Sequence, residues 1–491
     1  MEEIGQARRT LVAGPAVAWA VAAVTVAGLQ CAATWPFAID DAWISVRYAR
    51  HLVEGVGYVW NDGSAATDGV TPLPWAFLLA PLAHAGAAVV LTRSKLLGAV
   101  VWAGAAAFWG RAIGRLDRPS WVKLVAVLVL ALDLPVAAHV VSGMETSLAL
   151  ALATIASVVH ARPRAAAALA GLAATLRPEL VVWGLVLAVG FSLVAPRAHD
   201  DAPSSPTGRL PEAWLAGAIA AAPFFACAAI RAVVFGHPAP LSVLAKPSDL
   251  SHGLSYLGAA AIFSLAPVLL VAPVSLARER GPALVLALAA LAHGAAIAAV
   301  GGDWMPYARL MAPIVPSMLY AFVLLARYGN AGLHVARAAI ALSLGAWLTP
   351  HNLRALRAAG ADRAAMIASA QPLLTDARTV AALDVGWVSA VFEGRIVDLA
   401  GVTDPEIASL GGGHTSKRID ATLLLARGVD LAVFYADPLP PTLDGESGST
   451  FPRVVEARLA ASTAFREHFA PAALLPLGER GAGYVLFRRT R

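Results

Sequence analysis

The chain has 491 residues, of which 58% are hydrophobic and only 14% charged, and its mean hydropathy is +0.67. That composition excludes an ordinary soluble globular protein and marks an integral membrane protein. The net charge is a modest +5, and no basic patch interleaves with aromatics, which argues against a nucleic-acid partner.

Arg and Lys recur in short clusters between apolar runs, as loop charges do in polytopic proteins. Runs of spanning length fall at 11–33, 96–114, 122–140, 146–161, 165–176, 179–195, 212–234, 254–276, 282–300, 308–326 and 333–349. The first follows Arg8 and Arg9. It is longer than the apolar core of a signal peptide and no small-residue cleavage site precedes Asp40, so it reads as a retained span.

Charge decides the status of the further apolar run 73–90. If it crossed, the cluster Arg111, Arg115, Arg118 and Lys123 would share a side with Asp40. Arg162/Arg164, Arg197/Arg209, Arg278/Arg280 and Arg327/Arg337 would follow it outward. Laid along the surface or re-entering, 73–90 leaves all of these with Arg8 and Arg9 on the cytoplasmic side. The expected architecture is therefore a polytopic α-helical membrane domain, 1–350, with about eleven spans. Segment 36–95 forms its first extracytoplasmic loop and carries two surface helices. The chain would sit as a multi-pass protein of the inner or plasma membrane. Cys31 and Cys227 both lie in apolar runs, which argues against a disulfide framework or a thiolate metal site.

From His351 onward charges become frequent and apolar runs shorten to strand length, at Thr379–Leu383, Arg395–Asp398, Asp430–Tyr435 and Gly483–Phe487. Helical patterns lie at Ala361–Ser369 and Arg453–His468, and Asp437–Thr450 reads as a loop. Residues 351–491 are thus expected to form a soluble extracytoplasmic α/β domain.

The most informative feature is Asp40-Asp41, two carboxylates directly after the first span. They open an amphipathic stretch, 42–54. At 100° per residue Asp40, Trp43, Arg47, Arg50, His51 and Glu54 share one face, as in a helix lying at a membrane interface. A helix start favours negative charge, so capping competes with a catalytic reading. The segment Gly55–Gly63 reads as a strand and turn containing Asn61, and a second surface helix follows Thr71-Pro72. Further polar groups are expected on the same side: Glu145 in Ser142-Gly143-Met144-Glu145-Thr146, Arg177-Pro178-Glu179, His237 and Lys246 in one loop, and Asp303 with Arg309. Each has a plainer reading, as a cap, an ion pair or a solvated charge. Gly411-Gly412-Gly413, followed by His414, Lys417 and Arg418, is a weak phosphate-loop signal.

The ordered set resembles a known family. The stretch Asp40 to Trp75, with Asp40-Asp41-Ala42-Trp43-Ile44, Arg47, Tyr48, Asn61, Asp68-Gly69 and Thr71-Pro72, is similar to the first-loop signature of GT-C membrane glycosyltransferases in their arabinofuranosyltransferase-like branch. Ser142–Thr146, Leu176–Glu179, Phe235–Pro240 with Leu244–Lys246, Gly301–Pro306 with Arg309, Asp384-Val385-Gly386 and Val397–Asp404 resemble its later elements in order. Pro74 and Val70 depart from the pattern.

The resemblance implies transfer of a sugar, a pentose such as arabinofuranose favoured, from a polyprenyl-phosphate donor to a hydroxyl of a cell-envelope glycan or glycolipid. It implies Asp40 as the base with Asp41 orienting the acceptor or the base, the order of the two being open to reversal, and Arg177, Lys246 and Arg309 toward the phosphate. Arg47, Tyr48, Asn61, Thr71, Glu145, Glu179, His237 and Asp303 complete the implied substrate site. A single base and direct displacement would invert the anomeric centre. No metal cluster has a recognisable spacing; Asp40 and Asp41 could share a divalent cation, but adjacent side chains diverge and no cofactor is required. The competing class is a transporter or flippase, whose ionisable residues would line a path within the membrane. A third is a non-catalytic scaffold with the tail as a binding module.

Overall fold

The computed structural model describes residues 2–194, 209–246, 249–279, 281–328, 330–443, 451–479 and 481–490. Arg197 and residues 444–450 of the expected loop lie outside the described residues. The chain divides into two compact units: a helical one of Met1–Trp35, Lys95–Cys227 and Ser248–Leu356, and a mixed one of Pro36–Ser94, Ala228–Pro247 and Arg357–Arg491.

The chain is mostly helical. Five helices contain stretches long and apolar enough to cross a membrane: Gly14–Thr34, Ala87–Arg115, Leu210–Phe235, Pro282–Ala299 and Ala331–Leu374. A sixth is possible if Ser120–Ala131 and Leu134–Val140, bent by 57° at their junction, count as one. The remaining expected spans are short helices, among them Thr146–Val158, Pro163–Leu176 and Leu180–Val194. Proline marks both ends of the middle helix, because Pro163 opens it at the first position and Pro178 follows its last cap, Arg177. A 14-residue helix is about 21 Å long, less than the roughly 30 Å of a hydrocarbon core. Run 73–90 is likewise interrupted: Leu73–Leu82 is helical, and a new helix begins at Ala87.

In the helical unit every residue of the Val315–Leu325 helix is buried, so this uniformly apolar segment is a central element. Small residues let helix backbones meet around it. A Cβ on Gly110 would lie 2.4 Å from the Trp19 carbonyl, and one on Gly253 would lie 2.1 Å from that of Ala298.

The mixed unit is built on a five-stranded sheet, β1 Thr379–Ala382, β2 Arg395–Asp398, β3 Leu431–Ala436, β4 Phe469–Pro476 and β5 Gly483–Arg489. Its order is β2-β1-β3-β5-β4, with β2, β1 and β3 parallel and the last two strands antiparallel. Four strands fall where the sequence places them; β4 was not expected. Arg453–His468 is two helices, Val454–Ala461 and Thr463–His468, because Ser462 caps the second through its hydroxyl.

Four expectations change. The helix Ala331–Leu374 runs unbroken through residue 350, and the division falls after Leu356. Segment 36–94 belongs with the α/β tail rather than with the apolar helices. The helix Asp40–Val53 is no surface helix with a solvated polar face, since Trp43, Arg47 and His51 are all buried. Nor is 55–63 a strand: Gly55, Gly57 and Gly63 all take positive φ, which makes a series of turns.

Candidate functional site

The helical unit gathers five of the residues singled out in the sequence. Ser142-Gly143-Met144-Glu145 is a turn before the Thr146–Val158 helix, and Glu145 does not cap that helix with its side chain. Instead its Oε1 accepts from Arg177 Nη1 at 3.1 Å. Arg177 Nε also lies 3.0 Å from Glu179 Oε1. Arg309 Nε donates to Asp303 Oδ2 at 2.8 Å. Arg309 follows Tyr307 and Ala308, whose φ values of 59° and 48° are uncommon for residues with a side chain. The three ion pairs form one electrostatic group, because both Arg177 and Arg309 act on the Glu145 carboxylate.

Three residues that the sequence reading passed over complete this cluster. His139 Nε2 lies 3.2 Å from the Tyr307 carbonyl, and both arginines bear on its ring. His293 bridges the Glu179 and Leu310 carbonyls at 3.3 and 2.8 Å. Tyr256 Oη accepts from Leu310 N. Glu145, His139 and His293 are fully buried and Arg177 is 4% exposed. Burial on this scale normally comes with complete hydrogen bonding. Here Glu145 Oε2 and Arg177 Nη2 have no hydrogen-bond partner among the described residues.

The mixed unit holds Asp40 and Asp41, in a different setting. Both stand in the first turn of the Asp40–Val53 helix. Asp40 Oδ1 accepts from Trp387 N at 2.9 Å and from Arg363 Nη1 at 3.1 Å, and Oδ2 accepts from Gly386 N at 2.9 Å. A Cβ on Gly386 would lie 2.1 Å from the Asp40 carbonyl, so glycine is required there. Gly386 and Trp387 begin the helix after β1, which lies between β2 and β3. The chain leaves β1 to one side and returns on the other, and the carboxyl end of such a strand is where an α/β sheet takes its ligands. Asp40 fills that position from within the chain.

A charged network surrounds it. Asp384 Oδ2 accepts from Arg453 Nη2 and Tyr484 Oη, each at 2.7 Å. Glu456, fully buried, accepts from Tyr435 N at 3.1 Å, with Arg453 Nη1 3.6 Å from the same oxygen. Burial pushes the Asp40 carboxyl up to about 7, against the pull of Arg363 and with Asp384 and Asp41 adding to the rise. Burial also pushes Glu456 up to about 8 despite Arg453. Asp384 is buried as well, but Arg453 and the Tyr484 hydroxyl outweigh that and hold it below the usual carboxylate range.

The other first-loop candidates are structural clamps. Arg47 donates to the carbonyls of Trp60, Phe392 and Gly394 at 2.8 to 2.9 Å. Asn61 exchanges two hydrogen bonds with the backbone of Ile396, at 2.9 and 2.8 Å, and so pairs the open edge of β2. Tyr48 Oη meets Thr67 Oγ1 at 2.6 Å, and Thr71 Oγ1 meets Ser242 Oγ at 2.6 Å. Asp68, which the sequence reading did not single out as a site, is fully buried against Arg231 at 2.6 Å. His237 Nδ1 is 2.6 Å from the Ala239 carbonyl, and the Lys246 ammonium has no partner among the described residues. Among those residues no group of three or more His, Cys, Asp or Glu is placed to hold a metal ion.

A family model described as a domain of unknown function, DUF8728, matches residues 346–487, the end of the long helix and the whole sheet up to β5. No curated protein and no solved structure matches the chain.

Proposed function

We propose that the chain is a membrane glycosyltransferase of GT-C type, with about eleven membrane passages and an extracytoplasmic α/β tail, that moves a sugar from a polyprenyl-phosphate donor to a hydroxyl of an envelope glycan or glycolipid. The observation that carries this reading is the buried group Glu145, Arg177, Glu179, Asp303 and Arg309 in a unit of apolar helices. Charge in such a setting is expensive and marks function by default. Two guanidinium groups there suit the phosphate of a lipid-linked donor.

The proton role goes to Asp41. Asp40 already accepts three hydrogen bonds, which leaves it poorly placed to take a proton from an acceptor. In the reaction the acceptor oxygen attacks the anomeric carbon as its proton passes to Asp41. The bond from that carbon to the phosphate oxygen breaks, its electron pair leaves on polyprenyl phosphate, and the anomeric centre inverts. Purified protein incubated with polyprenyl-phosphate pentoses and an envelope glycan is expected to form glycoside. Asp41→Asn is expected to lower the rate at least 100-fold, as loss of a general base does. Unaltered turnover in Asp41→Asn, or no transfer with any pentose or hexose donor, contradicts the assignment.

The same buried charges favour one rival, a transporter or flippase of lipid-linked precursors. Movement of a labelled polyprenyl-phosphate sugar across proteoliposomes without glycoside formation would select it.

A further inference from the structure

We propose that the mixed unit carries a binding site for an amphipathic anion, in the cleft between the loop 236–246 and the segment 405–417, with the Lys417 ammonium holding the charge. This proposal is independent of the transfer reaction. The cleft has a volume of about 580 Å³ and is walled by Leu241, Leu244, Pro405, Ala408 and Leu410, with His237 at its side. That size and lining suit a small ligand with an apolar body. Its floor is the buried contact of Leu241, Ala245 and Ala408.

Lys417 is the unusual group. It lines the cleft yet is only 2% exposed. Its Nζ donates to the Ala408 and Leu410 carbonyls at 2.7 and 2.9 Å, and both residues line the cleft as well. An ammonium carries three N–H groups, so one remains. No carboxylate among the described residues pairs with it. A buried ammonium without a counter-charge is costly, and an anion entering the cleft would supply one. The triple glycine makes the approach possible. Gly412 has φ of 102°, and a Cβ there would lie 2.3 Å from the Ser416 carbonyl, so the chain doubles back and returns Lys417 toward 408–410.

The test uses the full chain, with Cys31 and Cys227 replaced by Ala, in phosphatidylcholine nanodiscs. Ser409, exposed at the cleft, is changed to Cys and labelled with an environment-sensitive dye. Octyl phosphate is expected to give a saturable dye response, octanol a weaker one and inorganic phosphate none. Lys417→Met should weaken octyl phosphate at least tenfold and leave octanol unchanged. Leu244→Trp, on an exposed wall, should abolish the octyl phosphate response with an unaltered unfolding temperature, and it decides the matter if Lys417→Met does not fold. The proposal is overturned by the absence of a saturable response, by equal affinity in a folded Lys417→Met, by full binding in Leu244→Trp, or by inorganic phosphate binding as tightly as octyl phosphate.

Discussion

The two units each bury a charged network, and the carboxylates Asp40 and Glu145 are finished differently within them. In the mixed unit Asp40 receives two backbone N–H groups and a guanidinium, and Asp384 receives Arg453 and a tyrosine hydroxyl. In the helical unit Glu145 and Arg177 meet each other, yet each keeps a buried polar atom without a partner. A carboxylate with its hydrogen bonds complete holds a fold together. A buried pair left incomplete stands ready for a further group. The most conspicuous acidic motif of the sequence thus contains one anchoring residue, and unpaired buried atoms lie at Glu145 Oε2 and Arg177 Nη2 in the helical unit and at Glu456 Oε2 and Arg453 Nη1 in the mixed one.

Breaking the helical cluster should have the largest effect. Arg177→Ala leaves Glu145 buried without its partner, and a loss of about 3–5 kcal/mol is expected from breaking a buried pair. Thermal unfolding in detergent checks it. The triple variant Arg177→Met with Glu145→Leu and Glu179→Gln should recover much of that stability and none of the transfer, which separates a structural group from a working one. In the mixed unit Asp40→Asn should cost about 1–3 kcal/mol, the penalty for charge-assisted hydrogen bonds. Asn61→Ala uncovers the edge of β2 at a cost of about 1–2 kcal/mol for two hydrogen bonds. Faster proteolysis of the 55–72 segment reports it.

A further effect is a pH slope. Asp40 and Glu456 have folded pKa values of about 7 and 8, above their unfolded ones near 4. Such groups contribute stability at low pH and lose it as the pH rises through the folded value. Asp384, held low, acts oppositely and weakens the fold only as the pH falls through its folded value. Unfolding temperatures should therefore decline from pH 6 to pH 8.5, and Glu456→Gln should flatten that decline.

Much of this was legible in the sequence where one local signal sufficed. β1, β2, β3 and β5 are short apolar runs between turn residues, and they were found. β4 was missed because Pro471 and Pro476 argue against a strand; it is an edge strand with an irregular register between Pro471 and Ala473, where proline is tolerated. Glu145, Arg177, Glu179, Asp303 and Arg309 stood out because charges are rare next to apolar runs. His139 and His293 did not, since a lone histidine in an apolar helix reads as core. The clamps at Arg47 and Asn61 were misread because their partners, Phe392 to Ile396, lie more than 330 residues away and are backbone atoms that no pattern of residue types reveals.

The most direct test is a comparison of Asp40→Asn and Asp41→Asn in the same purified preparation, with polyprenyl-phosphate sugar transfer and unfolding temperature measured side by side. The account predicts that Asp41→Asn folds and loses transfer at least 100-fold. It predicts that Asp40→Asn unfolds at lower temperature and keeps measurable transfer while folded. A stable, inactive Asp40→Asn beside an active Asp41→Asn would contradict it.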